Sequence, residues 1–213
     1  MTQPIVTAIK KILEEKCYID CFGGLVRKVS IPIPQVGGKT ITKTYPISCA
    51  KLDECKPNQP YVELLPSNKY KSVSYLELIG PVRRVVRPLD TKYPKNQACS
   101  FEAIFRFVMS YNMKKLGYDQ CSIADQIIAD IMNCFKGSFS VGEPYKIPDI
   151  TLAPVYYLAN DVSTFGKYSH EDALLSIGMP PCEFFHIDFK AQWTVLEGCV
   201  SQVPFKCKTP IEC

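Results

Sequence analysis

The stretch ACSFEAIFRFVMSYN, residues 98–112, alternates. Cys99, Phe101, Ala103, Phe105, Phe107, Met109 and Tyr111 are apolar or aromatic, while Ser100, Glu102, Ile104, Arg106, Val108, Ser110 and Asn112 are mixed. A period of two held over this length predicts a β-strand with one face for a core. The mixed face carries Ile104 and Val108 among its polar residues. That predicts a cover for it as well, either a helix of the same subunit or a neighbouring chain. EFFHIDFKAQWTVLE, residues 183–197, repeats the pattern. Phe185, Ile187, Phe189, Ala191, Trp193 and Val195 share its core face, and His186, Asp188, Lys190, Gln192 and Thr194 its polar one.

Two stretches have a helical period instead. In 3–16, Ile5, Ala8, Ile9, Ile12 and Leu13 fall on one side, Thr2 stands at a capping position and Pro4 suits the first turn. In 123–135 the stripe is Ile123, Ile127, Ile128, Ile131, Cys134 and Phe135, with Ser122 and Asp125 resembling a capping box and Gly137 placed as a C′ residue. Between the helices, 25–33 and 39–47 alternate around Gly37-Gly38 and predict a hairpin across 34–38. YVELL suggests a short strand, and 72–87 reads as strand, break at Gly80-Pro81, strand. Residues 138–182 hold Pro144, Pro148, Pro154, Pro180 and Pro181 and predict an irregular arm with one short helix at 169–177. Tyr156 and Tyr157 in that arm, each with an apolar body and a polar tip, are interface candidates beside Ile104 and Val108.

The expected fold class is therefore α+β: a mainly antiparallel sheet packed by two helices, with an irregular arm and an extra C-terminal strand. The division is a core domain over 1–137, an extended arm or loop over 138–182, and a C-terminal strand and tail over 183–213 that joins the core.

Composition narrows the function. The net charge of +4 permits an acidic partner without demanding one. Arg83, Arg84 and Arg87 form the densest basic cluster, yet tandem residues of a strand point to opposite faces and cannot make one phosphate stripe. A nucleic-acid-binding strand built on these three arginines is the alternative function. No apolar run approaches the length of a transmembrane helix, and MTQPIVTAIKKILEEK lacks the apolar segment of a signal peptide. Eleven cysteines without a secretion signal, and without a C-x-x-C knuckle, read as reduced thiols serving as small hydrophobes.

Candidate chemistry is thin. The two histidines are His170 and His186, and His186 with Asp188 reads as a surface pair. There is no G-x-S-x-G, no H-E-x-x-H and no phosphate-binding glycine loop. The expectation is a protein that is not an enzyme, with no catalytic residue, no cofactor and no metal.

The order of elements through SFEAIFRFVMSYNMKKLGYDQCSIADQIIADI, residues 100–131, resembles the tail-terminator and neck-ring proteins of tailed bacteriophages, a likeness spanning 1–137. The C-terminal part, TFGKYSHEDALLSIGMPPCEFFHIDFKAQW, looks more like ring proteins of the crAss-like phages, whose anaerobic hosts suit reduced cysteines. The resemblance implies a structural virion protein, assembled in the host cytoplasm and located in the neck or tail. It implies a homo-oligomeric ring of identical subunits stacked on other neck, portal or tail proteins. Genomic DNA would pass through the lumen without sequence-specific contacts, and no membrane would be involved.

Overall fold

The computed structural model describes residues 2–34, 38–48, 62–64, 70–85, 98–117, 123–141, 147–159, 164 and 182–196. Its elements in chain order are α1 (Gln3–Glu14), β1 (Cys21–Leu25), β2 (Arg27–Pro34), β3 (Thr40–Ser48), β4 (Val62–Glu63), β5 (Ser72–Leu78), β6 (Arg83–Val85), β7 (Ala98–Asn112), α2 (Met113–Leu116), α3 (Ile123–Cys134), β8 (Gly137–Val141), β9 (Ile147–Ala159) and β10 (Cys182–Leu196). The described residues are mixed α and β, and a curled sheet is the largest of their elements.

The two long alternating stretches are the centre of that sheet. β7 and β10 pair antiparallel along their whole length, from Cys182 opposite Asn112 to Leu196 opposite Ala98. The strand order is β1-β5-β7-β10-β9-β8, with β6 also on β7. β5 and β6 share one edge of β7, opposite 105–111 and 100–102 respectively. They are separate because the chain breaks at Gly80-Pro81, where proline has no N–H for the ladder. β1 lies parallel to β5, and the chain between them makes a second sheet of order β2-β3-β4.

The core sits on one face. Phe105 stacks on Phe189 with ring centroids 5.8 Å apart, and Phe101 on Trp193 at 5.9 Å. Phe135, just after α3, meets Phe107 edge-on at 5.5 Å and Phe189 at 4.8 Å. Ile5, Ile9 and Leu13 of α1 and Ile127, Ile128 and Ile131 of α3 close this layer, all buried. α1 touches both β1 and β8, opposite ends of the strand path. Six strands laid flat span about 24 Å, and a helix of this length is about 18 Å long, so the sheet curls around it.

Several local details depart from expectation. Thr2 stands at the N-cap of α1 but makes no side-chain cap bond. Ser122 lies outside the described residues. Gly137 does have positive φ, at 119°, but it opens β8 rather than closing α3. The short helix α2 was not anticipated. Asn112 caps it by accepting from the Lys115 N–H at 3.2 Å, and Gly117 ends it at φ 82°.

The largest correction concerns 138–182. Two strands, β8 and β9, belong to the main sheet here, and β9 runs for 13 residues. Pro154 sits at the register shift where β9 meets Asp188 and Phe189 of β10. Pro148 falls at the shift between β8 and β9. Both prolines occupy places where the ladder is already interrupted, so neither ends the strand. The helix expected at 169–177 lies outside the described residues.

Candidate functional site

The sheet has a second face, opposite the helices, and it divides in two. On one half Val108 is fully buried, together with Val73, Tyr75 and Phe184 of neighbouring strands and Leu64 from the end of β4. The cover expected over Val108 therefore comes from this same chain, and from the small sheet rather than a helix. Gly23 of β1 lets that cover close. A Cβ there would stand 2.1 Å from a methyl of Leu64. With Val108 internal, it is not available to a neighbouring chain as an interface residue.

The other half is open. Ile104 is 45% exposed and Tyr156 46%, both on this face, with Val155, 60% exposed, beside Tyr156, whereas Tyr157, 48% exposed, lies on the helix-side face near the sheet's edge. Val155 is the extra residue at the β9 bulge, between Pro154 opposite Phe189 and Tyr156 opposite Asp188. Sequence reasoning missed it because it placed this segment outside the sheet. Tyr157 lies across from Ile187.

A lattice of polar cross-strand contacts holds the boundary between the halves. Arg106 donates from Nε to one oxygen of Asp188 at 2.7 Å and from Nη2 to the other at 2.9 Å. The same Nη2 reaches the Tyr156 hydroxyl at 3.1 Å. Asp188 holds the guanidinium well above its ordinary pKa, burial working against it. Hydrogen bonding to Asp188, then burial, raises the Tyr156 phenol. Further along, Lys190 sits 2.7 Å from Glu102, and Gln192 donates to the same carboxylate at 3.2 Å. These two partners lower the Glu102 pKa. Ser100 and Thr194 share a hydrogen bond of 3.1 Å.

His186 and Asp188 are buried, at 2% and 4% exposure, rather than a surface pair. His186 Nδ1 shares a 2.9 Å hydrogen bond with Thr164 Oγ1, and its ring meets Tyr156 edge-on. Asp188 is committed to Arg106. The signal for this pairing was present: one arginine and one aspartate, each at the centre of a long apolar strand. Register alone turns that signal into a contact.

Arg83 and Arg84 are both exposed on β6, opposite Glu102 and Phe101. They lie on opposite faces, as adjacent strand residues must. Arg87 lies outside the described residues. Arg83 joins Gly80, Pro81, Glu102, Ile104 and Lys190 around a pocket of about 150 Å³.

A larger hollow, of about 650 Å³, opens where α1 crosses the end of α3 and β8, lined in part by Lys11, Lys16, Cys134, Lys136 and Phe139. Beside it Asp130 accepts from Lys16 Nζ at 2.8 Å and from the Tyr18 hydroxyl at 2.5 Å. This cluster ties the exit of α1 to α3. Among the described residues, no three His, Cys, Asp or Glu side chains gather as a metal site would require. No described helix is long and apolar enough to cross a membrane. The chain matches no protein-family model, and no curated protein matches it.

Proposed function

We propose that the chain is a structural subunit of a homo-oligomeric ring in the neck or tail of a tailed bacteriophage, joining adjacent rings around a DNA channel. One observation carries this reading: Ile104, Val155 and Tyr156 stand exposed beside a polar lattice that holds the Tyr156 hydroxyl in place. Apolar and tyrosine side chains held this way are what a subunit interface uses, with the lattice as a preformed polar rim. In a ring, each subunit presents one such side to a different side of the next copy, and rotation closes the set. Within that reading the fold is a tail-terminator-like α+β unit, and Ile104, Tyr156 and Tyr157 meet a neighbour while Val108 does not.

The alternative, a nucleic-acid-binding strand at Arg83, Arg84 and Arg87, has less support. Its two described arginines lie on opposite faces, and one of them stands across from Glu102. Native mass spectrometry with negative-stain imaging tests the ring. The expected result is a closed assembly of about six to twelve copies. A monomer under every condition, including with virion partners, overturns it.

A further inference from the structure

The β2–β3 ribbon differs in charge from the rest of the chain. Residues 21–48 contain Arg27, Lys28, Lys39 and Lys43 and no acidic residue, a charge equal to the +4 of the whole protein. Everything outside the ribbon is neutral in sum.

Its geometry is equally distinct. Cross-strand pairs run from Arg27 opposite Ile47 to Pro34 opposite Thr40, a length of about 25 Å. β4 joins only at the base, opposite Ile47 and Ser48. Beyond that base no third strand pairs with the ribbon among the described residues. Arg27, Lys28, Ser30, Pro32, Pro34, Lys39, Thr40 and Thr42 are all exposed, and Ser30 bonds Thr44 across the ribbon at 3.0 Å. One face thus presents a row of hydroxyls, with Lys28 near the base and Lys39 beside the turn.

The outer edge decides what kind of partner fits. β2 is the terminal strand of its sheet, and Pro32 and Pro34 remove two of the donors that an added strand would need. The ribbon is therefore a poor template for another protein strand and a good match for a polyanion. A two-stranded ribbon also has the width that the major groove of B-form DNA admits, about 12 Å, whereas the major groove of duplex RNA is too narrow. We infer that the β2–β3 ribbon docks on double-stranded DNA, its cations and hydroxyls contacting phosphate oxygens without reading sequence. This surface is argued from the ribbon alone and does not depend on the ring.

Fluorescence anisotropy with a labelled DNA duplex of random sequence tests it. Two phosphate contacts, from Lys28 on the hydroxyl face and Lys39 at the tip, give a log–log salt slope of about −1.8, or about 12-fold weaker binding between about 50 and 200 mM salt. Lys28→Glu/Lys39→Glu should abolish binding. Lys39→Glu alone, at the tip and away from the packed base, should lower the slope by about 1 with an unchanged circular dichroism spectrum. Arg83→Glu/Arg84→Glu should bind as the parent does. The inference is overturned by no binding at low salt, or by undiminished binding of the Lys28→Glu/Lys39→Glu variant. Loss of binding in the β6 variant, or equal affinity for duplex RNA or polyglutamate, overturns it as well.

Discussion

Arg106 and Asp188 grip each other through two hydrogen bonds across the β7–β10 pair, although 82 residues separate them in the chain. Their side chains are 15% and 6% exposed, so the pair is largely dry. Removing one partner from such a pair leaves a buried charge without its counter-ion. Asp188→Ala should cost about 3 kcal/mol in urea unfolding. Arg106→Met/Asp188→Leu should recover most of it, because two apolar residues leave no orphan. A double variant no better than the single would show that the pair does more than neutralise itself.

Ile104 and Val108 lie on the same strand face and should behave in opposite ways. Val108→Asp places a carboxylate among Leu64, Val73, Tyr75 and Phe184 and should unfold the domain or cost about 4 kcal/mol. Ile104→Asp should change monomer stability by less than about 0.5 kcal/mol and reduce self-association, read by analytical ultracentrifugation. Unimpaired association of the Ile104 variant would remove that residue from the interface.

Gly23 and Leu64 are coupled by contact. Gly23→Ala should destabilise by about 1–3 kcal/mol, since its methyl meets the Leu64 side chain. In Gly23→Ala/Leu64→Ala the clash is gone, and thermal unfolding should show a combined loss smaller than the sum of the two single losses.

Asp130 gives the fold an acid-side dependence. Burial disfavours its charge, but hydrogen bonds from Lys16 and Tyr18 outweigh this and hold its pKa below the ordinary 3.8. A carboxylate lowered on folding contributes stability that is present above its unfolded value and is lost as pH falls through the folded one. Lys16 is raised above 10.5, chiefly by the same hydrogen bond, so its contribution is present below that value and lost on the alkaline side. Asp130→Asn should be less stable than the parent by about 1 kcal/mol near neutrality, solvent screening the rest. The gap should narrow below about pH 4. A gap independent of pH would mean that the amide loses packing rather than charge.

Thiol labelling should rank two cysteines. Cys17 is exposed, whereas burial pushes the Cys182 thiol above its ordinary 9.0. Because the thiolate reacts, iodoacetamide should modify Cys182 on the order of tenfold more slowly at mildly alkaline pH. Peptide mass mapping over time reads the ratio.

The strands that the alternating pattern placed were those whose every second residue meets one continuous core. β7 has the bounds the pattern gave it, and β10 begins one residue earlier. β8 and β9 escaped because a proline count is blind to bulges, and Pro148 and Pro154 sit in them. α2 escaped for a different reason. Asn112 and Gly117 supply both caps, but four residues are too few to show a period. On the second face, composition marked Ile104 and Val108 as alike. Only the return of Leu64 from a distant strand separates them, and no local pattern records that return. His186 and Asp188 read as surface because they are polar. They are inside because Arg106 neutralises Asp188 and Thr164 bonds the Nδ1 of His186.

The position of β10 has a consequence for how this protein is made. It is the last described strand, yet it lies between β7 and β9 at the middle of the sheet. A ribosome that has released β9 but not β10 holds two long strands whose facing edges have nothing to pair with. The sheet cannot become continuous until its central strand emerges, so the nascent chain passes through a stage with open edges and a half-covered core. Its many pairings between distant residues place it among slowly folding topologies. During that interval the unpaired edges of β7 and β9 are open to aggregation, a hazard that the stability of the finished sheet does not remove.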